Sequence, residues 1–127
     1  MKAISPTRAP ATIGPYVHAI VHKDLVFTTA CIPLDPESMK LVPGDAETQL
    51  RRIFENLKII LGEAGTTLDR IIKQNVYLTD FEGQFEAFNK VSREYLGEHK
   101  PARATMRVLG LPKGAEMGVD VVVAMPE

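Results

Sequence analysis

At 127 residues, 45% hydrophobic and 24% charged, the chain can bury one core and has the composition of an ordinary globular protein. Its 15 basic and 16 acidic residues leave a net charge of −1, which excludes the strongly basic balance of a nucleic-acid-binding domain. The single cysteine, Cys31, excludes an intrachain disulfide and a cysteine-based metal site within one chain, and suits a reducing cytoplasm.

No apolar run approaches the roughly 18 residues of a membrane span. The opening Met1–Arg8 has no apolar stretch either, so no secretory signal is expected. Pro6, Pro10, Gly14 and Pro15 mark the first 15 residues as an extended lead-in. Tyr16–Val21 and Leu25–Thr29 are rich in β-formers around His22-Lys23-Asp24, which predicts a hairpin. Pro33 and Pro36 remove ladder donors, so a loop is expected to run on to Pro43-Gly44. Asp45 is placed to cap a helix, and Leu50, Ile53, Phe54, Leu57, Ile60, Leu61 and Ala64 recur at helical spacing up to Gly65. Ile71–Leu78 reads as a strand. Asp80 is placed to cap a second helix, with Phe81, Phe85, Phe88, Val91 and Tyr95 near one face and Gly97 at its end. Ala102–Leu109 predicts a strand, Pro112–Gly114 a turn, and Met117–Met125 a last strand whose Val121-Val122-Val123 run implies burial.

The expected order is β-β-α-β-α-β-β, an α+β fold filling residues 1–127 as one domain. Both helices should cover one face of a single mixed sheet. The other face also carries apolar residues and has no helix to cover it, which points to a second copy of the chain.

Most catalytic arrangements are missing. His18, His22 and His99 lack metal-ligand spacing: four residues along a strand put His18 and His22 about 13 Å apart. Ser5, Ser38 and Ser92 do not sit on a nucleophile turn, and no Gly-rich loop cradles phosphate. Cys31 is a possible nucleophile, though a lone cysteine is more often buried and inert. Pro101-Ala102-Arg103-Ala104-Thr105 stands out because Arg103 opens an apolar strand. It is either an edge residue in a surface salt bridge or a guanidinium held to clamp a carboxylate with two parallel donors. Asp120 interrupts the last strand in the same way, and a buried carboxylate needs a partner. If the last two strands pair antiparallel, Arg103 and Asp120 serve one site as clamp and general acid/base, or else form a structural ion pair.

These residues fall into a pattern. Gly14-Pro15-Tyr16, Thr28-Thr29-Ala30-Cys31-Ile32-Pro33, Gln49–Gly65, Asn75–Asp80, Phe88-Asn89, Pro101-Ala102-Arg103 and Leu111–Gly114 follow one another as in the Rid (reactive intermediate deaminase, or YjgF) family. The chain resembles that family from about Pro10 to Ala124. The resemblance implies a chorismate-mutase-like sheet with two helices on one face. It also implies a homotrimer whose sheets form a central barrel, with sites in the clefts between subunits. Arg103 would hold the substrate carboxylate and Tyr16 would line the site. Thr29 stands in the place of a site serine, Asn89 in that of a family asparagine, and Asp120 where many members have a glutamate that positions water. Thr105 replaces a cysteine but keeps its backbone hydrogen bonds. Ala30, Cys31 and Gly118 stand for glycine, glutamine and glutamate.

The implied activity is hydrolysis of 2-iminobutanoate or 2-iminopropanoate to the keto acid and ammonia, with no cofactor and no metal. The alternatives are a carboxylate-binding trimer without turnover and an RNA-directed ribonuclease or translation inhibitor.

Overall fold

A computed structural model of the chain describes all of residues 1–127. Its elements are β1 (Lys2–Ile4), β2 (Ala19–His22), β3 (Leu25–Thr28), α1 (Ala46–Ala64), β4 (Ile71–Leu78), α2 (Phe81–Leu96), β5 (Ala102–Arg107) and β6 (Met117–Ala124). The six strands form one mixed sheet in the order β1-β2-β3-β6-β4-β5, with the two helices packed together over one face. No helix is long and apolar enough to cross a membrane.

Both helices begin and end where their caps dictate. The Asp45 side chain accepts a hydrogen bond from the Thr48 backbone N–H at 2.9 Å, and Asp80 does the same for Gly83 at 3.3 Å. Gly65 closes α1 at φ 94°, a left-handed conformation in which its N–H reaches the Leu61 and Gly62 carbonyls. Every apolar residue predicted to face inward from α1 is buried. Phe54 lies at the centre, stacked on Tyr95 with centroids 4.9 Å apart and 6.0 Å from Phe88. Met117, Val119, Val121 and Val123 of β6 and Val76 and Leu78 of β4 meet this helical layer and are buried.

The opposite face has no helix. Phe27 and Ile72 are 44% and 46% exposed, so the bare apolar surface expected from the helix count is present.

Several predicted boundaries move, most by a single residue. Lys2–Ile4, inside the expected lead-in, forms β1 by pairing antiparallel with the edge of β2. The strand predicted from Tyr16 starts at Ala19, and the one predicted to reach Leu109 stops at Arg107. A larger correction concerns pairing. β5 and β6 are not neighbours: β5 lies parallel to β4 at the far edge, joined to it through α2, and β6 runs between β3 and β4 antiparallel to both. The apolar composition of β6 explains this, because a strand with a fully buried row is stabilised by a partner on each side.

Candidate active site

The strand exchange separates the two charged residues that the sequence brings to one place. In the parallel β4–β5 pair Arg103 lies opposite Gln74, on the face covered by α2. Asp120 lies opposite Asn75, on the uncovered face. Within one chain Arg103 and Asp120 are therefore neither ion-paired nor parts of a common cleft.

Arg103 is half-buried and forms no ion pair. Its Nη1 donates to Asn89 Oδ1 at 2.7 Å, and Asn89 Nδ2 donates to Glu86 Oε1 at 3.4 Å. Glu86 thus fixes which end of the Asn89 amide meets the guanidinium. The guanidinium carbon sits 5.3 Å and 5.2 Å from the ring centroids of Phe85 and Phe88, so two aromatic faces hold its plane. Phe88 is itself buried against Phe54, which ties the position of Arg103 to the core. Burial lowers the Arg103 pKa from its ordinary value, and the nearby Glu86 carboxylate opposes that shift. The result is a cation with one donor committed and its remaining N–H groups unpaired. It borders a cavity of about 420 Å³ lined by Gln74, Asn89, Ser92, Arg93 and the Gly97–Pro101 turn. Thr105 lies two residues further along β5 on the same face.

Asp120 is held differently. Its Oδ1 accepts from Asn75 Nδ2 at 2.8 Å and its Oδ2 from the Tyr77 hydroxyl at 2.5 Å. The bond to Asp120 is the main reason the Tyr77 pKa is pushed up to about 12, with burial adding to it. Gly118, on the same face of β6, leaves room for a Cβ, whose nearest neighbour would be the Cys31 carbonyl at 3.4 Å.

Tyr16 and Thr29 line a second cavity of about 280 Å³, with His18, Cys31 and Ile32 among the walls. The Cys31 thiol is pushed up to about 12, first by burial and then by the Asp120 charge, so it stays protonated and inert at neutral pH. No three His, Cys, Asp or Glu side chains converge as a metal-binding group.

Of the residues singled out in the sequence, Arg103 and Asn89 meet directly and Thr105 lies near them. Tyr16 and Thr29 share another cavity, and Asp120 stands on the opposite face of the sheet. Gln74, Asn75 and Tyr77 were missed. The alternation of β4 carried the signal for Gln74, since it puts this polar residue on the buried face with Val76 and Leu78.

Comparison with known proteins supplies the context for this arrangement. A family model described as Endoribonuclease L-PSP matches residues 6–125. A RutC family protein of Pyrococcus abyssi is 42% identical over 118 residues, covering 93% of this chain and 87% of that protein. The mouse protein named 2-iminobutanoate/2-iminopropanoate deaminase is 34% identical over 121 residues, covering 95% of this chain and 89% of its own. The crystal structure of RidA from an Antarctic Psychrobacter superposes with a TM-score of 0.94 at 34% identity, covering 98% of this chain and 100% of that one.

Proposed function

Because the chain belongs to the Rid family, we propose that it is a cofactor-free deaminase hydrolysing 2-iminobutanoate and 2-iminopropanoate to 2-keto acids and ammonia. The observation that carries this reading is Arg103: a half-buried guanidinium, fixed by Asn89 and two phenylalanine rings, with no carboxylate of its own. Such a group is prepared for a carboxylate from outside, which its planar fork can bind with two parallel hydrogen bonds.

The chemistry asks little more of the protein. With the carboxylate anchored, water adds to C2 of the protonated imine and forms a carbinolamine. One proton of the added water passes to nitrogen, the C–N bond breaks, and the remaining O–H proton is handed to the departing ammonia, so the products are the ketone and ammonium. Holding water about 3 Å from C2 supplies the proximity term, and a neighbouring carboxylate or ordered water assists the proton transfer.

Tyr16, Thr29 and Asp120 join Arg103 in this scheme only across a subunit boundary. We therefore propose a homotrimer in which the uncovered sheet faces pack together and each site draws on two chains. Asp120 would position water there, with Asn75 and Tyr77 holding its oxygens. The reduced, buried Cys31 fits a cytoplasmic protein.

The test is a deaminase assay on enzymatically generated 2-iminopropanoate and 2-iminobutanoate, scored as acceleration over spontaneous hydrolysis. A chain that binds 2-oxobutanoate but gives no acceleration is a carboxylate-binding module. Cleavage of RNA by metal-free, nuclease-free protein would support the ribonuclease reading, which the net charge of −1 does not favour.

A further inference from the structure

Gln74 is 1% exposed, on the buried face of β4, and its Nε2 has no hydrogen-bond partner. Buried amide donors are rarely left unpaired, because they have lost their hydrogen bonds to water and gained none from protein. This residue lies directly opposite Arg103 in the β4–β5 register and lines the same polar cavity. Arg103 on β5 and Val121 on β6 are its cross-strand partners on that face, so Arg103 is the polar one, and adjacent strands run about 4.8 Å apart.

We propose that Gln74 is a ligand-binding residue that donates its side-chain amide to the carboxylate anchored by Arg103. The proposal rests on Arg103 holding a carboxylate, as in the function proposed above. The two ends of a glutamine amide exchange by a half-turn about its last bond, so the NH₂ can face either the interior or the cavity. Nε2 is buried and unpaired in the orientation seen, and the half-turn gives a second orientation. An anion beside Arg103 selects the one in which NH₂ faces it. Arg103 supplies charge and two parallel donors, and Gln74 supplies a neutral third donor from the strand alongside. Arg93 and Lys100 line the same cavity with Arg103 and form no ion pairs, against the single carboxylate of Glu98, so the balance of charge favours an anion.

A purely structural glutamine and a ligand-binding one differ in the sign of a stability change. Methionine matches glutamine in length and carries no donor. If Gln74 is kept for binding, Gln74→Met removes an unpaired buried group, and its Tm should equal or exceed that of the parent. The Kd for 2-oxobutanoate should rise on the order of tenfold, the usual worth of a hydrogen bond to a charged group. In turnover the loss should fall on KM more than on kcat, because the contact is made in ground and transition states alike. Gln74→Glu, which presents a carboxylate to the ligand's own, should bind worse than Gln74→Met. The unaltered protein gives an independent reading. The Gln74 side-chain NH₂ resonances should shift on titration with 2-oxobutanoate, and their exchange with water should slow.

A lowered Tm with unchanged Kd in Gln74→Met would overturn the proposal in favour of a structural role. So would NH₂ resonances indifferent to a ligand that binds, a measurement that holds even if the variants fail to fold. If Arg103→Ala loses 2-oxobutanoate and Gln74→Met does not, the role of Gln74 fails and the Arg103 clamp stands. If Arg103→Ala binds like the parent, the clamp fails and takes this proposal with it.

Discussion

Replacing Arg103 with alanine separates its binding role from its structural one. In the folded chain the side chain makes one charge-assisted hydrogen bond to a neutral amide, 2.7 Å to Asn89, and two ring contacts at 5.3 and 5.2 Å. The hydrogen bond, made by a charged donor, is worth about 1.5–3 kcal/mol and each partly exposed cation–π contact about 0.5–1 kcal/mol. The cost of desolvating the guanidinium opposes both. Truncation should therefore cost about 1–3 kcal/mol of stability. The ligand loses more. A charge-assisted bidentate contact, with an anion left facing a partly dry cavity, amounts to about 2–4 kcal/mol. At 1.4 kcal/mol per decade that is roughly 30- to 1,000-fold in kcat/KM. The assay follows loss of enzymatically generated 2-iminopropanoate, with Tm and subunit assembly measured on the same samples. Arg103→Lys should recover little, since an ammonium supplies charge without the planar fork. If Arg103→Ala deaminates at the parent rate, the reasoning from this site is wrong. If it fails only because it no longer folds, the residue is structural and the functional reading loses its main support.

Other outcomes follow from the same geometry. Light scattering should give a mass near 42 kDa, three times the 14.0 kDa chain, and a stable monomer at micromolar concentration would refute the inter-subunit site. Asp120→Asn sets an amide against the Asn75 and Tyr77 donors and should cost about 1–3 kcal/mol of stability. It should lower turnover by more than it weakens keto-acid binding, whereas Asp120→Glu should be tolerated; equal losses in both measurements would leave Asp120 a structural role alone. Iodoacetamide at pH 8 should label native Cys31 only as fast as the chain opens, because the folded thiol holds its proton to about pH 12. An unfolded thiol, at its ordinary value of 9.0, ionises first, so this group's contribution to stability should decline as pH rises from about 9 towards 12. Rapid labelling of folded protein, or loss of turnover in Cys31→Ala, would contradict the inert-thiol assignment. EDTA should leave turnover unchanged, and loss restored by zinc would reveal a metal requirement.

The sequence by itself determined the elements whose causes are local. Asp45 and Gly65 set the ends of α1, and Asp80 and Gly97 those of α2, because caps act over three or four residues. The 3.6-residue period of Leu50 to Ala64 settled which face of α1 is buried, and two helices against one sheet were enough to predict the bare face. Pro101-Ala102-Arg103, set in an ordered series of family motifs, identified the family. Strand order was decided elsewhere. β5 and β6 are consecutive strands joined by a short connection, and nothing local says that β5 must pair with β4 while β6 goes to the centre. That choice minimises exposed apolar surface over the whole sheet. It puts Arg103 and Asp120 on opposite faces, so each residue's side of the sheet depended on a partner far away in sequence, Gln74 for Arg103 and Asn75 for Asp120. The same tertiary choice set Gln74 beside Arg103 and gave Asp120 the Asn75 and Tyr77 donors. Such side-chain contacts between strands exist only once the register is fixed, and register is a property of the packed sheet, not of any segment within it.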